Sequence, residues 1–266
     1  MSFLSFHHDG LNFQARDVGQ GPCLLFQHGL TGDEAQVADV AAFPNIRRLT
    51  LECRAHGGSD AGPNIAFSIP QFADDVLAFA KSRGVDRFVV GGISMGAAIA
   101  LRIAVVAPEK IIALILARPA WNWQSAPDNM QVFLELAGYI ARNDREGFTA
   151  TPTAQYFAEH APDNLASFLK AFDRKDLPAT VELMRRIAKS GPEISETQIK
   201  AITVPTLVLA NKIDLVHPLS HAEVLASAIP HAKLVELVPK ANDKQLHTRQ
   251  FRAALLEFLT EQGTPS

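Results

Sequence analysis

One serine between two glycines is where this chain offers its plainest chemistry. Gly92-Ile93-Ser94-Met95-Gly96 follows the apolar run Phe88-Val89-Val90-Gly91 and leads into the small residues Ala97 and Ala98. Strand, sharp turn and helix in that order lift a hydroxyl to the end of the strand, at a helix N-terminus whose N–H groups favour a nearby oxyanion. The glycines answer a steric need, because a serine in a strained turn leaves no room for side chains two residues before and after it. Ser94 is therefore the candidate nucleophile, and the chemistry is acyl transfer. A glycine-rich turn between a strand and a helix would account for the motif alone. A nucleophilic serine also needs a base, and the base a carboxylate to orient it.

The elements that must hold such a site are legible as an alternation. An Asp9-Gly10 turn between Phe3 to His8 and Leu11 to Val18 signals a hairpin, so the chain is expected to open antiparallel. Cys23 to Gln27, Ile46 to Leu51, Phe88 to Gly91, Ile111 to Leu116, Pro205 to Ala210 and Lys233 to Val238 are rich in Val, Ile and Leu with little alternation. Strands covered on both faces read this way. Helical patterns separate them. Pro70 to Arg83 carries Phe72, Val76, Phe79 and Ala80 on one face with Asp74 and Asp75 turned away, Met95 to Ala107 is apolar nearly all round, and Phe251 to Leu259 closes the chain. The implied class is α/β, a mostly parallel eight-stranded sheet flanked by helices. From Trp121 to about Lys200 the alternation stops, with five prolines and no convincing strand, a stretch too long for a plain connection. It is expected to be an inserted helical cap, giving a core of residues 1–118 and 201–266 and a cap of 119–200.

With these elements in order, the chain resembles the α/β-hydrolase family over nearly its whole length. Gln27-His28-Gly29-Leu30-Thr31-Gly32 is similar to the family's His-Gly segment, which implies that the Leu30 and Met95 backbone N–H groups form the oxyanion hole, with His28 a loop anchor. Cys53-Arg54-Ala55-His56-Gly57-Gly58-Ser59-Asp60 looks like a further family turn near the site, with Cys53 in its usual acidic position. Cys53 has no elbow of its own to make it a nucleophile. The family's chain order of Ser, then Asp, then His implies Asp214 in the loop after the strand ending at Ala210. It also implies His247, after the last strand and before a helix beginning near Thr248, as the base. Leu246 stands where many relatives have glycine. His217, His221 and His231 precede the last strand and are expected at the surface.

The resemblance implies hydrolysis of a small carboxylic ester, thioester or lactone through an acyl-enzyme on Ser94, with no cofactor and no metal. A serine in the elbow argues against dehalogenase or epoxide hydrolase chemistry, which use a carboxylate there. A carbon–carbon bond hydrolase of ring-cleavage diketones and a hydrolase-fold ligand receptor with slow turnover are the alternatives. Trp121, Trp123 and Arg118, all just after the sixth strand, are the candidate substrate contacts, although Arg118 serves equally well as a scaffold salt bridge. A net charge of −3 gives no electrostatic case for nucleic acid or an anionic membrane. No apolar stretch approaches the roughly 18 residues of a membrane span. Two cysteines in or beside apolar runs suit reduced thiols, and the N-terminus lacks the pattern of a signal peptide. The reading is a cytoplasmic monomer or homodimer acting on a small molecule.

Overall fold

The computed structural model describes residues 3–63 and 67–263. Residues 1–2 and 264–266, at the ends of the expected core segments, lie outside them. Its centre is an eight-stranded sheet in the order β1-β2-β4-β3-β5-β6-β7-β8. The strands are β1 (Leu4–His8), β2 (Leu11–Val18), β3 (Cys23–Gln27), β4 (Arg47–Leu51), β5 (Phe88–Ile93), β6 (Ile111–Ala117), β7 (Thr206–Ala210) and β8 (Ala232–Glu236). β1 and β2 form the expected hairpin, β2 pairs antiparallel with β4, and the remaining pairs are parallel.

Period-two geometry explains why the central strands are apolar throughout. Phe88 and Val90 of β5 enter one core with Leu114 and Leu116 of β6, while Val89 and Ile93 enter the other with Ala113, Ile115 and Ala117. Successive side chains point to opposite faces, so a strand with helices on both sides needs apolar residues at every position. The smaller core is closed by α1 (Glu34–Ala41) and the last helix, α11 (Lys244–Glu261), through Val37, Phe251, Leu255 and Leu259. The larger is closed by α2 (Ile69–Ser82), α3 (Met95–Val106) and α10 (Leu219–Ala228). Helix α2 departs from expectation at one residue. Asp75 is buried, where its carboxylate takes two hydrogen bonds, at 2.7 and 2.8 Å, from the equally buried Arg54.

Between β6 and β7 the chain runs through α4 (Val132–Ala141), α5 (Arg145–Thr149), α6 (Pro152–His160), α7 (Pro162–Lys170), α8 (Leu177–Lys189) and α9 (Glu196–Lys200). Thr151 and Asp176 cap α6 and α8, each with proline in the first turn. A proline there lacks only a donor the helix does not use. Phe133, Phe148, Phe157 and Phe168 pack edge-on among themselves to form the interior of this segment. It is tied to the rest of the domain by polar contacts: Arg174 donates to the Thr31 and Ala55 carbonyls, and the Ser190 hydroxyl accepts the Ile69 N–H at 3.1 Å. No described helix is long and apolar enough to cross a membrane.

Candidate active site

Ser94 sits between β5 and α3 with φ 56° and ψ −110°, in left-handed backbone space that an L-residue occupies only under constraint. The flanking glycines are that constraint. A Cβ on Gly92 would lie 2.4 Å from the Gly96 carbonyl carbon, and one on Gly96 would lie 2.3 Å from the Gln27 carbonyl oxygen at the end of β3. Any other residue at either position would push the turn away from the sheet. The Ser94 N–H is meanwhile held by the Ala117 carbonyl at 2.9 Å, fastening the turn to the end of β6.

The hydroxyl of Ser94 lies 2.7 Å from Nε2 of His217. The opposite nitrogen, Nδ1, lies 2.7 Å from Oδ1 of Asp214. An ionised carboxylate only accepts, so Nδ1 carries the proton and donates it to Asp214, leaving the Nε2 lone pair facing the serine. Both residues come from one loop. The Asp214 side chain also accepts from the His217 backbone N–H at 3.1 Å, so the loop folds over its own carboxylate.

Two further side chains fix that carboxylate. Arg118 donates from Nε to Oδ2 at 2.7 Å, and Asn164 of α7 donates from Nδ2 to Oδ1 at 3.0 Å. The Asn164 carbonyl oxygen accepts the backbone N–H groups of Leu215 and Val216 at 2.9 and 3.1 Å. Asn164 therefore pins the acid and its loop together. Burial pushes the Asp214 carboxyl up, but the charges and hydrogen bonds of Arg118 and His217 outweigh it and hold the group well below the usual carboxylate range. Burial lowers the His217 imidazole; Asp214 opposes that, while the nearby Arg118 charge reinforces it. The pair at neutral pH is an ionised acid and a neutral base.

The expected His247 is not in this constellation. Helix α11 begins at Lys244, capped by Asp243, rather than near Thr248. His247 is thereby drawn into the first helical turn, where its N–H bonds the Asp243 carbonyl and its Nδ1–H donates to the Val238 carbonyl at 2.8 Å. His217, expected at the surface, is buried instead. The sequence signal for His217 is an Asp-x-x-His spacing within one loop, which the family pattern, with its histidine after the last strand, does not select.

The remaining expectations divide. In the segment Gly29 to Thr31, the Gly29 N–H is taken by Gln36 and the Thr31 N–H by His56, whereas the Leu30 N–H bonds no described residue. Met95 is the first residue of α3, where N–H groups lack intrahelical partners. His28 and His56 are locked as neutral anchors, each accepting a backbone N–H at Nε2, from Cys53 and Thr31 respectively, and donating from Nδ1 to a carbonyl. Cys53 is buried, and burial pushes its thiol up, away from nucleophilic use. Trp121 and Trp123 line neither the cavity over Ser94 nor the cleft beside it; Trp121 is buried in the core. The cavity, about 60 Å³, is lined by Phe133, Leu136, Phe168 and Met184 from the β6–β7 segment, with Leu30, Val216 and Arg118. Arg118 thus reaches the cavity wall while its guanidinium is bound to Asp214.

A family model described as the alpha/beta hydrolase fold matches residues 22–247. The chain is 27% identical over 247 residues to a protein of Pseudomonas savastanoi pv. phaseolicola named "Putative carbamate hydrolase RutD", covering 91% of this chain and 95% of that one. The protein of that name from Klebsiella pneumoniae strain 342 is 28% identical over 226 residues, 81% of this chain and 82% of its own. Among solved structures, the enol-lactonase from Burkholderia xenovorans LB400 superposes with a TM-score of 0.76 at 23% identity, covering 97% of this chain and 100% of that one. A hydrolase from Pseudomonas aeruginosa PA01 does so with a TM-score of 0.71 at 25% identity, covering 97% of both.

Proposed function

The chain belongs to the α/β-hydrolase family, and from that premise we propose that it is a serine hydrolase of small acyl compounds, with His217 rather than His247 as its base. The observation that carries this reading is the continuous chain from Ser94 Oγ through His217 to Asp214, 2.7 Å at each step. His217 removes the Ser94 proton as Oγ attacks the substrate carbonyl carbon. The Leu30 and Met95 amides receive the oxyanion, each such donor being worth about 10²–10³ in rate. The imidazolium then protonates the leaving group, and a water deprotonated by the same ring releases the acid and restores the serine. Asp214 holds the tautomer and stabilises the cation, with Arg118 and Asn164 positioning the carboxylate. In this reading the β6–β7 helices act as a cap, closing a pocket over the nucleophile whose apolar wall is Phe133, Leu136, Phe168 and Met184.

Carboxylic esters, thioesters and lactones fit a two-step acyl transfer, and the RutD relatives add carbamates to the substrates worth assaying. A fluorophosphonate probe is expected to label Ser94 in the folded protein and not in Ser94→Ala. Multiple turnovers are expected on at least one member of a panel of p-nitrophenyl acetate, a small lactone, an alkyl carbamate and a ring-cleavage diketone. Absence of labelling in folded protein would sink the mechanism, and a single slow turnover would point to a receptor.

A further inference from the structure

The cavity over Ser94 continues into a cleft of about 380 Å³. The two share Leu30, Thr31, Gln36, Ile93, Arg118 and Ser167 as a common wall. The cavity takes its apolar wall from Phe133, Leu136, Phe168 and Met184, whereas the cleft is basic on one side. Lys170 at the end of α7, Lys240 in the β8–α11 loop and Lys244 at the start of α11 line it beyond Arg118. Asp33 and Asp39 stand on the α1 side, and Asp33 is engaged in capping α1 through the Ala35 and Gln36 N–H groups. His247 adds a neutral stretch of wall.

What sets these lysines apart is that they gather at one cleft, since Lys81, Lys110, Lys175 and Lys189 likewise make no ion pair with a described residue. Lys200, Lys212 and Lys233 each pair with a glutamate, at 2.6, 2.9 and 3.0 Å. Lys170, Lys240 and Lys244 make no ion pair or side-chain hydrogen bond with a described residue, and Lys240 is half-buried. Burial and the charges of Arg118, Lys244 and Lys170 lower the Lys240 ammonium, with only Asp163 opposing. In a chain of net charge −3, cations gathered at the mouth of a reactive pocket, in hydrogen-bonded contact with no described carboxylate, favour an anion there.

We propose that the substrate carries an anionic group, carboxylate or phosphate, on the portion that stays outside the Ser94 cavity, and that Lys240, with Lys170 and Lys244, binds it. This rests on the serine hydrolase reading above and adds the substrate's charge to it. The small uncharged end enters the cavity against its phenylalanine wall, and the charged end lies in the cleft, with the scissile carbonyl at the common wall of Leu30 and Arg118. Long-range attraction by the same cluster also draws anionic substrates to the mouth, an effect that salt screens.

The test uses three acetyl esters of one frame: 3-acetoxybenzoate, the uncharged 3-acetoxybenzamide and 3-acetoxyphenyl phosphate. The parent is expected to favour one or both anions in kcat/KM, chiefly through KM, with the larger gain naming the anion. Replacing all three lysines (Lys170→Gln, Lys240→Gln, Lys244→Gln) is expected to reduce the anionic-to-neutral ratio about tenfold, the scale of a close charge pair. Lys212→Gln should leave the ratio alone. Taking a ratio cancels any general loss of folded protein. Calorimetry with Ser94→Ala and 3-acetoxybenzoate asks the same question without turnover, and the triple replacement should weaken that binding. Equal rates on all three esters, or a ratio and an affinity unmoved by the triple replacement, would overturn the anionic substrate and leave the hydrolase standing. No turnover on any ester, with Ser94 unlabelled by fluorophosphonate, would overturn both.

Discussion

The segments that follow β7 and β8 each carry a buried histidine, and the two have opposite fates. The β7–α10 loop offers His217, whose Nδ1 is held by Asp214 and whose Nε2 faces Ser94. The first turn of α11 offers His247, whose Nδ1–H is taken by the Val238 carbonyl and which makes no hydrogen bond to Ser94. Burial lowers both imidazoles, so protonation does not separate them. Position does. In the strand order β5-β6-β7-β8 the first loop emerges two strands from the nucleophile and the second emerges three. Neighbouring strands lie about 4.8 Å apart, so the more distant loop has one more strand width to cross. A long loop can make that crossing; this one is shortened by a helix that begins at Lys244.

The comparison breaks most sharply on substitution. His217→Ala is expected to lower kcat on the order of 10⁴-fold or more, the loss typical of a triad member. His247→Gln should leave kcat on a neutral ester near the parent value and remove about 1 kcal/mol of stability, one buried hydrogen bond's net worth. Steady-state kinetics beside chemical denaturation separates the two, and the reverse ranking would restore His247 as the base.

A smaller effect asks whether the first loop is held from across the pocket. Asn164→Ala frees the Leu215 and Val216 N–H groups and one lone pair of Asp214. Misplacement of the loop is expected to lower kcat by about 10- to 100-fold. The pH–rate profile tells positioning from simple loss of structure. With one hydrogen bond to the carboxylate gone, the acid limb set by His217 should move, whereas partial unfolding would scale the whole profile without moving it. An unmoved limb would reduce Asn164 to packing.

A last effect, on stability and not on rate, belongs to the anchoring histidines His28 and His56. His28 is lowered to about 4 by burial, and His56 is lowered well below its ordinary value by burial and by the nearby His28 and Arg174. Their folded values lie below the unfolded value near 6.5, so the unfolded chain binds protons first as the pH falls. Their contribution is whole above about pH 6.5 and declines below it, by up to about 1.4 kcal/mol per pH unit for each, until the folded value is reached. Denaturation midpoints measured from pH 7.5 down to pH 5 should fall accordingly. A flat profile would mean that neither ring is locked neutral.

Much of the fold was legible because its signals are local. Each strand appears within a few residues of its apolar run, since burial on both faces leaves no choice of residue type. Asp75 misled because a carboxylate on an amphipathic helix ordinarily faces water, and its partner Arg54 lies 21 residues away, beyond any local pattern. Trp121 and Trp123 misled for a related reason. Aromatic residues after β6 fit a pocket wall and a core equally well, and only the packing of the β6–β7 helices assigns Phe133 and Phe168 to the wall.

The sequence singled out Ser94 by its own turn, and Asp214 by the resemblance that places an acid after β7. Gly92 and Gly96 make the Ser94 turn possible through contacts a few residues away in chain or in the adjoining strand, and Asp214 follows directly from the end of β7. The base was left to tertiary structure. Several histidines lie near the right place in the chain, and the choice depends on strand spacing, on where α11 starts and on a carboxylate three residues away rather than on any residue's own type. Ser94 is legible where it stands, whereas the histidine that reaches it is settled only once the sheet edge brings the loops together.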